Sequence, residues 1–171
     1  MKNKNYFTLG LALVVIPIYA LAQPSDAQIA AIVVAANQVD IDAGQLAVTQ
    51  AKDAGAIDLA KMMVRDHTAV NQSAVELVTK LKVTPEANPT SKSLLDGGAA
   101  NLVHLRTLSG AAFDRAYVEH EVVYHEQVIK AIEGTLIPNA QNAELKALLV
   151  KVLPAFHEHL KHAKHVQSML H

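Results

Sequence analysis

Between Leu145 and Leu170 apolar residues recur at spacings that alternate four and three without a slip: Leu145, Leu149, Val152, Phe156, then His159, Ala163, Val166 and Leu170. Only an α-helix brings positions at that period onto one face. A helix with one apolar stripe has to bury it against other helices. Three further segments carry the same pattern. Ile29, Val33, Ala36, Asp40, Ala43 and Ala47 form the first stripe, and Leu59, Met63, His67, Val70, Ala74, Leu77 and Leu81 the second. Val118, Val122, His125, Ile129 and Ile132 form the third. With no strand alternation and no solenoid-length repeat, the pattern predicts an all-α chain, a four-helix bundle with a longer central connection.

Local signals set the expected boundaries. Ser25 with Gln28 three residues on has the form of a capping box, so a first helix opens there. Gly55 is expected to end it near Ala54, in the left-handed conformation that glycine adopts freely. A second helix follows over about Ala56 to Leu81, and Val83 to Pro89, with two prolines, is the clearest loop. Ser91 to Leu95 is expected to make one turn before Gly97-Gly98 breaks it, with a short helix over Ala99 to Leu108 that stops at Ser109-Gly110. The third long helix is expected over about Ala111 to Leu136, the turn at Pro138-Asn139, and the fourth over about Asn142 to Leu170 with a kink at Pro154.

The N-terminal segment reads as an export signal. Lys2 and Lys4 precede an almost wholly apolar run from Phe7 to Leu21, and Ala20-Leu21-Ala22 supplies a small-x-small cleavage site. Residues 1–22 are therefore expected to be a signal peptide, and 23–171 one bundle domain in the periplasm or secreted. The apolar run is shorter than the roughly 20 residues a span requires, so no membrane insertion is expected after removal of the signal. A formal net charge of −1 gives no electrostatic reason to expect a nucleic-acid partner. The chain has no cysteine, which excludes disulfides and thiolate metal sites. A transition-metal site has to use histidine and carboxylate.

The stripes contain such residues. His67, His125 and His159 each replace an apolar residue on a different helix, and Asp40 does so on the first. Counted from the expected turns, Asp40, His67 and His125 fall at similar depth. His159 is displaced by roughly 9 Å on ideal helices. If the four converge, they form three imidazoles and one carboxylate, a set suited to a divalent ion, zinc first and iron or copper next. Asp66, and Glu121 or Glu126, are candidates to hold the unused ring nitrogens. The alternative is a metal-free polar core in which the histidines hydrogen-bond to neighbouring helices.

Other polar groups point elsewhere. His157, His162, His165 and His171, with His120, read as a solvated face with adventitious metal affinity. Phe113 and Tyr117 are four apart and should pack on one face, with Asp114 in the first turn of its helix. Met63 reads as core packing.

The segments Val39 to Ala47, Met62 to Thr68, Gly110 to Tyr117 with His125 following, and Leu153-Pro154 leading to His159-Leu160 together resemble the ferritin-like domain-of-unknown-function family of exported bacterial proteins. The resemblance implies a ferritin-like four-helix bundle with a short extra helix in its central connection, and export from the cytoplasm. It implies almost nothing about activity. Asp40 stands where that family usually has glutamate, and the paired Glu-x-x-His motifs of di-iron oxidases are missing. The expected function is binding of one divalent metal ion through Asp40, His67, His125 and His159, in metal handling or envelope stress. A metal-free structural or interaction bundle is the alternative. An enzymatic role ranks last, for want of a nucleophile with a paired base.

Overall fold

A computed structural model describes residues 23–170; the export signal expected over residues 1–22 and His171 lie outside the described residues. The described chain is all-helical: α1 (Asp26–Gln50), α2 (Ala54–Leu81), α3 (Pro89–Arg106), α4 (Gly110–Ala131), a π-helical segment Ile132–Leu136, a single turn α5 (Ile137–Asn139) and α6 (Ala143–Met169). Among the described residues no helix is long and apolar enough to cross a membrane.

The capping box at Ser25 forms as the sequence predicts, with Ser25 and Gln28 each satisfying the other's backbone N–H. The end of α1 differs from expectation. It stops at Gln50, four residues before the expected end, because Asp114 reaches across from α4 and accepts the N–H groups of Lys52 and Asp53, both at 2.9 Å. Asp53 then caps α2 through the Ala56 N–H. Gly55 lies inside α2, and Asp114 clamps the α1–α2 corner instead of serving the first turn of its own helix. Phe113 and Tyr117 do share a face, stacked with centroids 6.4 Å apart.

The larger correction concerns α3. Gly97-Gly98 does not break it; one continuous 18-residue helix, capped by Asn88, runs from Pro89 to Arg106. Gly98 is there for close approach. A Cβ on it would lie 2.7 Å from Val39 Cγ2, so only glycine lets α3 lie this close against α1.

The buried apolar residues fall into two clusters, one containing Ile29, Val33, Leu149 and Phe156 and the other Ala43, Leu59, Phe113 and Val166. Helices α1, α3 and α6 run from the first cluster toward the second, while α2 and α4 run back. The buried polar residues Asn37, Asp40, His67, Glu121, His125 and His159 occupy the level between the clusters. Four helices carry that layer, α1, α2, α4 and α6, and α3 returns the chain along α1.

Candidate metal centre

The three stripe histidines meet. His67, His125 and His159 are buried, their ring centroids 5.2–5.5 Å apart in a near-equilateral triangle, and each offers a nitrogen within 4.8 Å of the others. The expected displacement of His159 is much reduced. Residues 140–142 bridge α5 and α6 without adding helical rise, so His159 stands sixteen residues past Ala143 and His125 fourteen before Asn139. That leaves about 3 Å of offset.

What each ring does with its other nitrogen decides the chemistry. The Asn37 side chain donates from Nδ2 to the Val33 carbonyl at 2.8 Å, which turns its Oδ1 toward His67 Nδ1 at 2.7 Å. Only an N–H can face that oxygen, so Nδ1 carries the proton of His67. His125 Nδ1 donates to the Glu121 carbonyl at 3.0 Å, and His159 Nε2 donates to Asp66 Oδ2 at 3.0 Å. Partial burial works against ionisation of Asp66, but its hydrogen bonds from Arg65 and His159 hold it below the usual carboxylate range. With the outward nitrogens protonated, the inward ones, His67 Nε2, His125 Nε2 and His159 Nδ1, are lone pairs. None of them makes a hydrogen bond.

Burial keeps the rings neutral. It pushes His125 down to about 4 and holds His67 well below the ordinary histidine value, reinforced there by the neighbouring imidazoles. His159 is lowered by burial too, against the pull of Asp66. Three neutral rings, each with one nitrogen left without a hydrogen bond, have no donor among themselves. A cation completes such a set, and a proton is the poorer choice at these depressed pKa values.

A carboxylate face adjoins the histidines. Asp40, Glu121 and His125 form a second group with ligand atoms within 4.8 Å of one another, and Asp40 Oδ2 reaches His67 Nε2 at 3.5 Å. Asp40 therefore sits beside the histidine triangle with Glu121 as its immediate neighbour. Desolvation raises Asp40 well above its ordinary value, with the Glu121 charge adding to it, and pushes Glu121 up to about 8. Two carboxyls this close and this buried do not both ionise without a positive charge beside them. The buried Tyr117 hydroxyl belongs to the same cluster, raised by burial first and then by Glu121 and Asp40.

Several assignments change in detail. Asp66 holds His159 and not its neighbour His67, since adjacent positions on a helix face different ways. Glu121 serves His125 Nδ1 through its backbone carbonyl, and its carboxylate lies 3.5 Å from the same nitrogen with Asp40 as its neighbour. Glu126 is exposed and pairs with Lys164 at 2.6 Å. The sequence reading missed Asn37, and it read Tyr117 as a packing residue without its place beside Glu121 and Asp40. The spacing Tyr117–Glu121–His125, every fourth residue along one face of α4, is the signal that finds the second. His157 pairs with Glu133 at 3.1 Å on the surface, and His162 and His165 are exposed, as expected of a solvated face; His120 departs from that expectation, being half-buried with its Nε2 enclosed and its pKa lowered by burial.

A ligand set with no thiolate and nitrogen at its heart fits a divalent transition ion. Donors bound at the 2.0–2.1 Å usual for zinc lie about 3.4 Å apart in a tetrahedron, so the histidine pairs have to close by at most about 1.5 Å.

The family model described as Domain of unknown function (DUF4142) matches residues 19–166, and the chain belongs to that family. Neither the curated proteins nor the solved structures contain a match.

Proposed function

Starting from a family whose description carries no activity, we propose that this protein binds one divalent metal ion in its core, through His67, His125 and His159 with Asp40 and Glu121 completing the set. One observation carries the reading: each inward imidazole nitrogen is a lone pair, because each outward nitrogen is committed as a donor to Asn37, to the Glu121 carbonyl or to Asp66. This is the arrangement by which outer partners fix the tautomer of metal-binding histidines. Zinc suits the donors best, with iron or copper next. The metal-free hydrogen-bonded core fares worse, since a protonated Asp40, 3.5 Å from His67 Nε2, supplies a donor to that ring alone and leaves His125 Nε2 and His159 Nδ1 without one.

Four site-bearing helices with α3 as a long return crossover support a ferritin-like four-helix bundle, the architecture in which core metal sites are built from facing helices. The signal-like residues 1–22 support export, and a role in metal handling or stress protection outside the cytoplasm.

Elemental analysis of tag-free protein, after zinc loading and dialysis, tests the site. The expected result is one ion per chain, lost in His67→Ala. No retained ion, or equal retention by the variant, overturns the reading.

A further inference from the structure

A cavity of about 190 Å³ lies in the first apolar cluster, next to the polar layer. Val33, Val128, Ile132, Leu136, Leu149 and Phe156 are among the residues that line it. Its few polar neighbours are already committed. Asn37 is held between Val33 and His67, and the Tyr124 hydroxyl donates to the Ala36 carbonyl at 3.1 Å. Thr90 and Gln127 also line it but are exposed, at its outer edge, so the interior offers a guest neither charge nor a free hydrogen-bonding group.

Two features separate this space from a packing defect. The π-helical segment Ile132–Leu136 forms one wall, and both Ile132 and Leu136 line it. A π-turn spreads the backbone by one residue and recurs at functional sites. Three of the lining residues, Thr90 on α3 and Gln127 and Ala131 on α4, are exposed, so a guest has a way in between those helices. Its inner end is Phe156, whose ring meets His67 edge-on at 5.1 Å.

We propose that this cavity is a binding site for a small neutral apolar molecule, a single aromatic ring or a short hydrocarbon chain. The size argument is direct. An apolar cavity of about 150 Å³ in another protein stays dry and takes up benzene, and this one is somewhat larger. A charged guest is excluded, because the wall has nothing to pair with it. The site stands on its own lining and does not depend on the histidines holding metal. Its place against Phe156 and Asn37 puts any guest one side chain away from His67.

Calorimetric titration of the purified, chelator-treated protein with toluene tests this independently of the metal. The expected result is one site per chain with a Kd of about 0.1–1 mM and a negative heat-capacity change. Benzoate is expected not to bind. Ala131→Trp plugs the mouth from an exposed position and should weaken toluene binding at least about tenfold. Lys61→Trp, exposed and outside the cavity lining, should bind toluene as the parent does. Absence of toluene binding by the parent, or equal binding by Ala131→Trp, overturns the proposal. Binding of benzoate as tight as that of toluene overturns the ligand class.

Discussion

The polar layer divides the core into two halves that are built differently. In the half toward the α1–α2 corner, alanines fill much of the contact surface: Ala43, Ala47, Ala51, Ala56, Ala60 and Ala163. Helices α1 and α2 come so close there that a Cβ on Gly44 would lie 2.9 Å from Val64 Cγ2 and 3.1 Å from the Ala60 carbonyl. The opposite half uses isoleucine, valine, leucine and phenylalanine, yet keeps a cavity of about 190 Å³. Larger side chains do not make the tighter half. Small ones let backbones meet and fix the register of the helices, and that register brings Asp40 and His67 to one level. The half with bulkier residues holds its helices apart and leaves room.

Substitutions can break this contrast. Phe113→Ala, in the tight half, should cost about 3–5 kcal/mol in urea unfolding, because alanine-packed helices cannot collapse onto the void. A cost below about 1 kcal/mol would mean that this half is not rigid.

The layer between the halves has its own signature in the metal-free protein, and the sign follows from two groups. Burial lowers His125 from 6.5 to about 4 in the folded chain, so below pH 6.5 the unfolded chain takes up the proton first. Stability is then lost as pH falls from about 6.5 to about 4, by about 3 kcal/mol from this group. Glu121 works the other way. Its folded value is raised from 4.5 to about 8, so above pH 4.5 the unfolded chain sheds the proton first and stability falls as pH rises through about 8. The two slopes oppose each other between about pH 4.5 and 6.5, and a stability maximum is expected there. Zinc should remove the alkaline fall, since it favours ionised Glu121. Urea midpoints across pH 4–9, with and without zinc, check both arms.

Next in size are the groups that hold the rings. Asn37→Ala and Asp66→Ala should each weaken zinc binding by about 10–100-fold in competition with a chromophoric chelator, although neither is a proposed ligand. Affinities unchanged in both would mean that the outward hydrogen bonds do not set the tautomers.

Overpacking sharpens the comparison of the halves. Gly44→Leu should cost about 1–3 kcal/mol, because its neighbours have no space to yield. Val33→Leu, on the cavity wall, should change stability by less than about 0.5 kcal/mol. The smallest effect is expected at Glu126→Gln, which removes an exposed pair with Lys164 and should shift neither stability nor zinc affinity measurably.

The layer was legible in the sequence because helical periodicity is a property of single segments. His67, His125, His159 and Asp40 interrupt apolar stripes, and each is buried in the folded chain. Long-range contacts were not legible. Asp114 ends α1 from 61 and 62 residues away, which no local signal at Gly55 encodes. Gly97-Gly98 looks like a helix break in isolation; only the packing of α3 on Val39 makes Gly98 a helix residue. Glu121 was in view, but its position beside Asp40 depends on how α1 and α4 pack. Asn37 shows its role only when its amide is seen turned by the Val33 carbonyl.

The central claim is that three inward nitrogens are lone pairs awaiting a cation. Long-range ¹H–¹⁵N correlation spectra of the metal-free protein, repeated after one equivalent of zinc, test it most directly. The account predicts that His67 and His125 carry their protons on Nδ1 and His159 on Nε2. Zinc should shift the opposite nitrogen of each of these three rings and leave the surface histidines unchanged. Any other tautomer at these rings, or zinc shifts confined to His162 and His165, would contradict it.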